Sequence, residues 1–400
     1  MSENRIKVVH ILEGFVGGLC TYMCAVLPQL AKNGFDVTLI CSVKRGCPNA
    51  PELISELGRK QVKVYVIPIY RGIRPFRDLC SFFIILNLLL KNKFDIVHTH
   101  CSKAGALGRT AAILAGIKIR LHSSHCFAFL RCGNRFAKLL YLFIERVLGR
   151  LTTKFAAVSQ SERDAAVSSN IFPYHKCVVI KNCLESNTAF TNTDSLEKKR
   201  EDSRILFGID KDMRVVATAC RLIEYKGIFR FLEAAKISRS TNTVFLIAGE
   251  GRLRPAIERF IHENGLSGKV RLAGYVTDME RLYAVCDVIV LCSDCEGMPY
   301  LLLEAMRAKC PVVATAVPGN KELISQDRGM LVKPAAASIA AAIDELLADE
   351  QKQRRYTENA YAYFCRHYTL EKQISKLAKV YRSCISARHK NYAKAEFCTE

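Results

Sequence analysis

The stretch SDCEGMPYLLLEAM, residues 293–306, places two carboxylates around the predicted start of a helix. Gly297 allows a tight turn after Glu296, and Pro299 suits the first helical position because its missing N–H group costs no hydrogen bond there. The helix is therefore predicted to begin near residue 298. Since helical side chains tilt toward the N-terminus, Glu304 leans back toward the side of the helix where Glu296 lies.

The start of this helix can also receive an anion. Its free N–H groups and the positive end of its dipole are available to a ligand such as a diphosphate. A negatively charged ligand can share a site with two carboxylates only if the carboxylates bind hydroxyl groups. The combination suggests a sugar nucleotide, with Gly297 and Met298 at the turn among its contacts.

Length and composition indicate a globular chain of two or three domains. The 400 residues are 50% hydrophobic, which is ample for cores of ordinary size. The N-terminus lacks the apolar region of a signal peptide, and the longest apolar run, LCSFFIILNLLL at 79–90, is too short to span a membrane. The scattered cysteines favour reduced thiols in a cytoplasmic protein.

The formal net charge of +21 favours an anionic partner. Nucleic acid, an anionic membrane surface and a phosphorylated substrate all satisfy this condition. Cys292 and Cys295 form one C-x-x-C pair without the second pair that a zinc site needs. No metal is therefore expected.

Short apolar runs alternate with amphipathic helices through the first half of the chain, which is typical of a parallel sheet with helices on both faces. The predicted strands are 5–12, 36–42, 62–68, 94–99, 117–123, 154–158 and 176–180. Ligands bind such sheets at the carboxyl ends of the strands. Three segments are expected there: the loop with Gly17 and Gly18, DIVHTH at 95–100 followed by Lys103, and LHSSHC at 121–126.

The glycine loop fits neither the dinucleotide nor the P-loop fingerprint, so phosphate binding and a simple tight turn both stay open. The histidines of the other two segments are His98, His100, His122 and His125. Metal ligation is weakly supported, because no acidic partner has helical ligand spacing, and a structural role is open for any single histidine. As a set, they favour a polar acceptor pocket with His98, His100 and Lys103.

Residues 129–154 predict a basic amphipathic helix. On a helical wheel the basic side chains gather on one arc: Arg135, Lys138, Arg146 and Arg150. The other arc is apolar: Phe136, Leu140, Phe143, Ile144, Val147 and Leu148. Such a helix can lie on an anionic membrane surface, or it can cover the sheet with its arginines in solvent.

The second half of the chain follows a polar segment at 183–203, which is interpreted as a linker between domains. A second series of strands is predicted at 214–220, 244–248, 269–274, 287–292 and 311–315. The segments after these strands present Arg221, Gly249, Gly274, Glu296 and Gly319 at one edge of the sheet. Arg221 and Lys226 in the first of these loops could clamp a diphosphate, although a pair of surface cations is equally consistent with this segment alone.

These motifs together resemble glycosyltransferase family 4, a group of retaining enzymes with the GT-B fold, over nearly the whole chain. EGMPYLLLEAM at 296–306 is similar to the family's E-x7-E signature, and RLIEYKG at 221–227 matches a second signature. The resemblance implies two Rossmann-like α/β domains with parallel sheets that face each other across a cleft.

The domains are predicted as residues 1–182 on the acceptor side and residues 204–365 on the nucleotide-sugar side. A C-terminal helix at about 366–385 is expected to pack back on the first domain, and residues 386–400 are expected to fray.

The resemblance also implies roles for individual residues. Arg221 and Lys226 would hold the donor diphosphate, Glu304 the ribose, and Glu296 the hydroxyls of the donor sugar. His125 lies where the family carries a histidine–glycine pair beside the reacting centre, with Cys126 in place of the glycine. The expected catalytic residues are His125, Glu296, Arg221 and Lys226. Further donor contacts are expected at Gly17, Gly18, Gly249, Glu250, Gly274, Gly297 and Met298.

The expected reaction is therefore metal-free transfer of a sugar from a UDP- or GDP-sugar to a lipid-linked saccharide or a polysaccharide, in cell-envelope polysaccharide synthesis. The enzyme is expected in the cytoplasm, with peripheral contact at the inner face of the cytoplasmic membrane. A sugar-nucleotide epimerase of the same fold is the alternative. A glycoside hydrolase would leave the Arg221–Lys226 pair unexplained, and a nucleic-acid-binding protein lacks an aromatic-rich basic module.

Overall fold

The computed structural model describes residues 5–44, 46–70, 72–185 and 193–396 of the chain. It divides into two compact units, one formed by 1–183 with 370–400 and the other by 184–369. Each unit is an α/β layer structure built on one parallel sheet. No helix among these residues is long and apolar enough to cross a membrane.

The first unit contains a seven-stranded sheet in the order β3-β2-β1-β4-β5-β6-β7. Its strands are β1 Ile6–Leu12, β2 Phe35–Cys41, β3 Lys63–Val66, β4 Ile96–His100, β5 Ile119–Ser123, β6 Lys154–Ala157 and β7 Cys177–Val179. All pair in parallel, and all seven coincide with predicted strands. Residues 8–12 of β1 are buried on both faces, because helices cover both sides of the sheet.

The helices of the first unit are α1 Gly18–Lys32, α2 Ala50–Arg59, α3 Pro75–Asn92, α4 Ser102–Leu114, α5 Arg135–Arg150, α6 Gln160–Ser168 and the C-terminal α15 Leu370–Glu396. α3 and α4 share an apolar core with β1 and β4, centred on Val9, Ile85 and Val97. α15 lies against α1. It continues as helix to Glu396, so the predicted fraying from residue 386 is wrong over the described residues; 397–400 lie outside them.

The second unit contains a six-stranded parallel sheet in the order β10-β9-β8-β11-β12-β13. Its strands are β8 Arg214–Ala219, β9 Thr243–Ala248, β10 Val270–Gly274, β11 Val288–Leu291, β12 Val312–Thr315 and β13 Met330–Val332. The first five match the prediction. The sixth was missed because it is an edge strand of three residues, MLV, which is too short to stand out as a strand pattern.

The helices of the second unit are α7 Thr193–Phe207, α8 Ile228–Ile237, α9 Arg254–Glu263, α10 Met279–Val285, α11 Tyr300–Arg307, α12 Pro318–Ile324, α13 Ala336–Ala348 and α14 Glu350–His367. α7 falls mostly inside the predicted linker. It packs on α10 and uses ion pairs in place of large apolar side chains, Lys199 with Glu280 and Arg200 with Asp287. The prediction that 183–203 is a plain linker is therefore wrong for 193–203, and residues 186–192 lie outside the described part.

Candidate active site

The loop after β8 carries both cations that the sequence singled out. It is locked against the neighbouring strand β11 at Gly227, whose φ is 68° and whose added Cβ would lie 2.1 Å from the carbonyl oxygen of Cys292. The main-chain N–H of Asp294 donates to the carbonyl oxygen of Tyr225 at 2.8 Å, which joins the two strand ends a second time. These two contacts hold the loop in one position, and the close approach to the carbonyl oxygen of Cys292 requires a glycine at residue 227.

Lys226 and Glu296 form an ion pair across these two strand ends. Lys226 Nζ lies 2.5 Å from Glu296 Oε1, and the side chains are 16% and 10% exposed. Burial alone would lower the pKa of Lys226, but Glu296 and the Tyr225 hydroxyl outweigh it, so the pKa is raised. Lys226 therefore stays positively charged at physiological pH, and its ion pair with Glu296 fixes the orientation of its side chain.

Arg221 stands at the start of the same loop. Its Nη2 donates to the hydroxyl of Tyr225 at 2.9 Å, and the side chain is half-buried. Two cations and one carboxylate thus share the carboxyl ends of β8 and β11, as the sequence predicted. This arrangement can bind a diphosphate and a hydroxyl group side by side.

The turn before α11 is packed more tightly than the sequence suggested. The helix begins at Tyr300, and Pro299 is its capping residue with ψ of 128°, so the predicted start is early by about two residues. A Cβ on Gly319, in α12, would lie 2.5 Å from the carbonyl oxygens of both Glu296 and Gly297. The turn is held in place by its close packing against α12, and Met298 within the turn is buried.

Among the described residues, a hydrogen bond is made to one carboxylate oxygen of Glu304. Tyr283 donates from its hydroxyl to Glu304 Oε2 at 2.8 Å. Burial raises the pKa of Glu304, and this hydrogen bond partly opposes the rise. Oε1 is the oxygen left to accept from a ligand hydroxyl.

Gly249 and Gly274 lie at the ends of β9 and β10, at the predicted edge of the sheet. The N–H of Gly249 donates to the carbonyl oxygen of Gly274 at 2.6 Å, and a Cβ on Gly249 would lie 1.9 Å from the carbonyl oxygen of Cys220. Packing of neighbouring strand ends explains Gly249 without a ligand. Glu250 is exposed and paired with Arg254, so its predicted donor contact has no support in the contacts seen.

In the first unit, Gly17 caps α1 and Gly18 is its first residue, at the carboxyl end of β1. Lys103 is the second residue of α4 and pairs with Asp78 of α3, at 2.6 Å between Nζ and Oδ1. Its side chain is 15% exposed, so the cation is already neutralised within the unit. The phosphate-binding reading of the glycine loop stays a prediction.

His98 and His100 are fully buried at the end of β4. His98 bonds Tyr381 through Nδ1 and Ser123 through Nε2, at 2.7 and 3.0 Å. His100 bonds His125 through Nδ1 and His10 through Nε2, both at 2.9 Å. All four ring nitrogens are used inside the unit, so the prediction that these two histidines line an acceptor pocket is wrong.

His125 occupies the turn after β5 in a left-handed conformation, with φ of 48°, and Cys126 follows with φ of 78°. The family pattern carries a glycine at the second of these positions, and the structure shows why: the backbone there adopts the conformation that glycine tolerates best. Burial lowers the pKa of His125 to about 4, so the ring is neutral at physiological pH.

Two members of the histidine cluster were missed in the sequence. His10 lies in β1 directly opposite His98 of β4, and Tyr381 reaches the same place from α15. His10 could have been found from the pairing of β1 with β4, but a contact with residue 381 has no local signal. His122 bonds Thr99 at 2.9 Å and faces the buried Arg109–Glu145 ion pair.

The ligand atoms of His10, His98 and His100 lie within 4.8 Å of one another, a spacing that could hold a metal ion. Each of the three rings is nevertheless hydrogen-bonded to neighbouring side chains in the described structure. The set includes no carboxylate and is fully buried. The expectation of no metal requirement stays a prediction.

The basic helix α5 exposes apolar side chains as well as its basic ones. Glu145, Leu148 and Gly149 are buried against the unit, whereas an apolar stripe faces outward. That stripe consists of Phe136, Leu139, Leu140, Phe143 and Val147, with Phe136 85% exposed. Arg135, Lys138, Arg146 and Arg150 are exposed as well. Apolar side chains of the predicted apolar arc thus lie outside, which a helix that merely covers the sheet does not require.

Comparisons with known proteins agree with this architecture. Residues 17–183 match the model of a glycosyl transferase 4-like domain, and residues 199–363 match that of glycosyl transferases group 1. The structure of HepE from Anabaena in complex with UDP and glucose superposes with a TM-score of 0.79 at 18% identity, covering 94% of this chain and 100% of that chain.

Two curated relatives are similar in sequence. The UDP-Gal:alpha-D-GlcNAc-diphosphoundecaprenol alpha-1,3-galactosyltransferase of Escherichia coli is 27% identical over 392 residues, which cover 95% of this chain and 97% of that protein. The capsular polysaccharide biosynthesis glycosyltransferase CapM of Staphylococcus aureus is 26% identical over 307 residues, covering 74% of this chain and 78% of that protein.

The two parallel-sheet units and the matched domains define a glycosyltransferase of the GT-B fold. More specifically, the chain belongs to glycosyltransferase family 4. The predicted family, fold class and enzyme class are confirmed. The roles of the individual site residues are taken up as proposals.

Proposed function

We propose that this enzyme transfers a hexosyl group from a UDP-sugar to a saccharide carried on a polyprenyl diphosphate, with retention of configuration, during cell-envelope polysaccharide synthesis. The observation that carries the proposal is the Lys226–Glu296 pair beside Arg221, in a chain similar throughout its length to an enzyme with such a donor and acceptor. UDP is favoured over GDP as the donor's nucleotide, because the E. coli relative uses UDP-galactose and HepE was solved with UDP.

On this proposal the departing diphosphate is stabilised by protein cations. Arg221 and Lys226 neutralise the charge that develops on UDP, and one such interaction typically contributes about 2.7–4 kcal/mol to the transition state. Glu296 accepts from hydroxyls of the donor sugar while it orients Lys226. Glu304 accepts from the ribose through Oε1. These cations supply the charge neutralisation for which other transferases use a divalent ion, so activity is expected to survive chelation by EDTA.

The donor site is tested with Arg221→Ala and Glu304→Gln. Each should lower transfer from a UDP-hexose to a polyprenyl-diphosphate saccharide about 10²–10³-fold while the protein stays folded. Arg252→Ala is the matched control, since Arg252 is an exposed arginine of the same unit, 59% accessible and paired with Glu224. Wild-type turnover in both site variants would refute the assignment.

The donor itself is identified by thermal stabilisation across a panel of UDP-, GDP- and ADP-sugars. UDP-sugars alone should raise the unfolding temperature. Stabilisation by GDP-sugars only would show that the donor carries GDP. An unfolding temperature that no sugar nucleotide of the panel raises would contradict the proposal. Conversion of the donor to an epimer in the absence of acceptor would establish the epimerase alternative.

We further propose that α5 attaches the enzyme to the inner face of the cytoplasmic membrane, where a lipid-linked acceptor would lie. Its outward stripe joins apolar and basic side chains, the composition that binds an anionic interface. α4 packs against both α5 and α3, and α3 adds exposed Phe76, Leu79 and Phe83. The two helices that pack against α4 thus both expose apolar side chains.

Flotation with vesicles of zwitterionic lipid, with and without anionic phospholipid, tests the attachment. Binding should need the anionic lipid and be lost in a Phe136→Ser, Phe143→Ser double variant. Ile205→Ser is the control, because Ile205 is 79% exposed but belongs to the other unit. Equal flotation of the double variant and the wild type would exclude α5 as the contact.

A further inference from the structure

The buried histidines of the first unit form a continuous chain of hydrogen bonds that can be followed proton by proton. It begins at Ser123, whose hydroxyl donates to the carbonyl oxygen of Ala156 at 2.7 Å. A hydroxyl has one proton, so Ser123 Oγ can only accept from His98 Nε2 at 3.0 Å. His98 is neutral because burial lowers its pKa, and therefore carries its single proton on Nε2.

The next link is Tyr381. Since His98 Nδ1 has no proton, it accepts from the Tyr381 hydroxyl at 2.7 Å. The phenol proton is then spent, and Tyr381 Oη can only accept from His10 Nε2 at 3.2 Å. His10 is also kept neutral, with a pKa lowered by burial to about 3. Its Nδ1 is consequently an acceptor.

The same reasoning runs through the remaining two rings. His10 Nδ1 accepts from His100 Nε2 at 2.9 Å, which leaves His100 Nδ1 without a proton. His100 Nδ1 accepts from His125 Nε2, also at 2.9 Å. His125, the last ring, is therefore protonated on Nε2 and presents the bare lone pair of Nδ1.

We propose that this chain is a tautomer-setting device, in which His10, His98, His100 and Tyr381 act as positioning residues that hold His125 in the Nε2–H form. His125 then accepts hydrogen bonds at Nδ1 and cannot donate there. A sugar hydroxyl satisfies that atom, whereas a carboxylate or a carbonyl oxygen does not. Use of this lone pair in sugar transfer rests on the proposed function; the tautomer itself does not.

The backbone at His125 and Cys126 is held in an unfavourable conformation, which fixes the position of the His125 ring. Two consecutive non-glycine residues with positive φ persist only where their surroundings hold them. The buried carboxylate of Glu162 does so, because it accepts from the Cys126 N–H at 2.6 Å, the Ser124 hydroxyl at 2.6 Å and the Val158 N–H at 2.7 Å. The turn is therefore anchored independently of the histidine chain.

One buried histidine outside the chain provides an internal contrast. Thr99 Oγ1 donates to the carbonyl oxygen of Leu121 and so accepts from His122 Nδ1 at 2.9 Å. His122 Nε2 is buried without a hydrogen-bond partner among the described atoms, at 3.8 Å from Glu145 Oε2, which is beyond hydrogen-bond distance. His122 is thus assigned the opposite tautomer, Nδ1–H.

The test is nitrogen NMR of the full chain with isotope-labelled histidine, assigned through single histidine variants. His10, His98, His100 and His125 should be protonated on Nε2 and His122 on Nδ1. Any of the first four found protonated on Nδ1, or a stoichiometric metal bound to them by elemental analysis, would overturn the proposal. This result does not depend on catalysis.

Tyr381→Phe then breaks the chain without removing a ring. His98 should stay Nε2–H because Ser123 still holds it, while His10, His100 and His125 become tautomer mixtures. If half of the molecules keep the competent form, kcat/KM falls about twofold, through a higher KM where the tautomers exchange rapidly. Tyr22→Phe is the matched control for tautomer state, since the Tyr22 ring packs on His100 and His125.

Unaltered tautomers in Tyr381→Phe would overturn the proposal. Ser123→Ala provides a second break at the other end of the chain, and should free the tautomer of His98 even if the tyrosine variant does not fold. Altered tautomers with unchanged kcat/KM would confirm that the hydrogen-bond chain sets the tautomer and would refute the use of His125 in transfer.

Discussion

The buried histidines predict an unusually steep loss of stability in mild acid. Five of them have pKa values lowered by burial: His10, His98, His100, His122 and His125. When the chain unfolds, each returns to an ordinary pKa near 6.5 and takes up a proton. The unfolded state therefore binds more protons, so the free energy of unfolding falls as pH drops below about 6.5.

The magnitude follows from the number of protons. At about pH 5.5 an unfolded histidine is about nine-tenths protonated, so each buried one contributes a slope of about 1.2 kcal/mol per pH unit. Five give about 6. Glu162 and Glu304 work in the opposite direction, because burial raises the pKa of each carboxyl and the folded state binds their protons more tightly, which lowers the slope. The five histidines set an upper limit of about 6 kcal/mol per pH unit, and their contribution flattens for His125 near pH 4 and for His10 near pH 3.

Urea unfolding between about pH 7 and pH 5.5 measures this slope. Tyrosine signals are the probe, since the chain contains no tryptophan. His10→Gln removes one titrating group and should lower the slope by about 1.2 kcal/mol per pH unit, whatever it does to absolute stability. His262→Gln, at an exposed histidine of the second unit, is the matched control. A free energy of unfolding that stays flat across this range would refute the neutral, buried chain.

Three further predictions concern single contacts. Gly227→Ala should destabilise the second unit by about 1–3 kcal/mol, because its Cβ would meet a carbonyl oxygen at 2.1 Å and its φ is 68°; unchanged urea unfolding would contradict this. Arg109→Met should cost about 3–5 kcal/mol by leaving Glu145 buried and unpaired, and adding Glu145→Leu should regain most of it; a double variant no more stable than the single would refute that account. Tyr283→Phe removes a hydrogen bond that lowers the pKa of Glu304, so the acid limb of kcat/KM should move to higher pH, and an unmoved limb would separate Glu304 from catalysis.

The periodic parts of the fold were predictable from sequence because their signals are local. Twelve strands of the two sheets coincide with short apolar runs, and their carboxyl ends bring Arg221, Lys226 and Glu296 together without any knowledge of tertiary structure. The strand β13 was missed because its three residues are too few to show a pattern, and the helix α7 was missed because it is highly charged. α7 is held through ion pairs whose partners are more than eighty residues away.

The histidine cluster shows the other limit. Alternation placed His98 and His100 on one side of β4, which is correct, but their surroundings depend on His10 from β1 and Tyr381 from α15. Tyr381, near the C-terminal end of the polypeptide, completes a buried hydrogen-bond network at the place where the sequence predicted an acceptor pocket. Sequence spacing carries no information about that closure, and the predicted acceptor contact failed for this reason.

The outward stripe of α5 has a kinetic consequence under the proposed attachment. An enzyme confined to a surface meets its lipid-linked acceptor by lateral diffusion, so the acceptor's abundance per unit of membrane area would set the rate in place of its concentration per volume. Diluting the acceptor with inert lipid at constant total amount should then slow transfer, and adding detergent micelles should do the same. Phe136 and Phe143 contact no substrate in this account. They would nevertheless control the rate of transfer, because they determine whether the enzyme reaches its acceptor by diffusion along the membrane surface or through the solution.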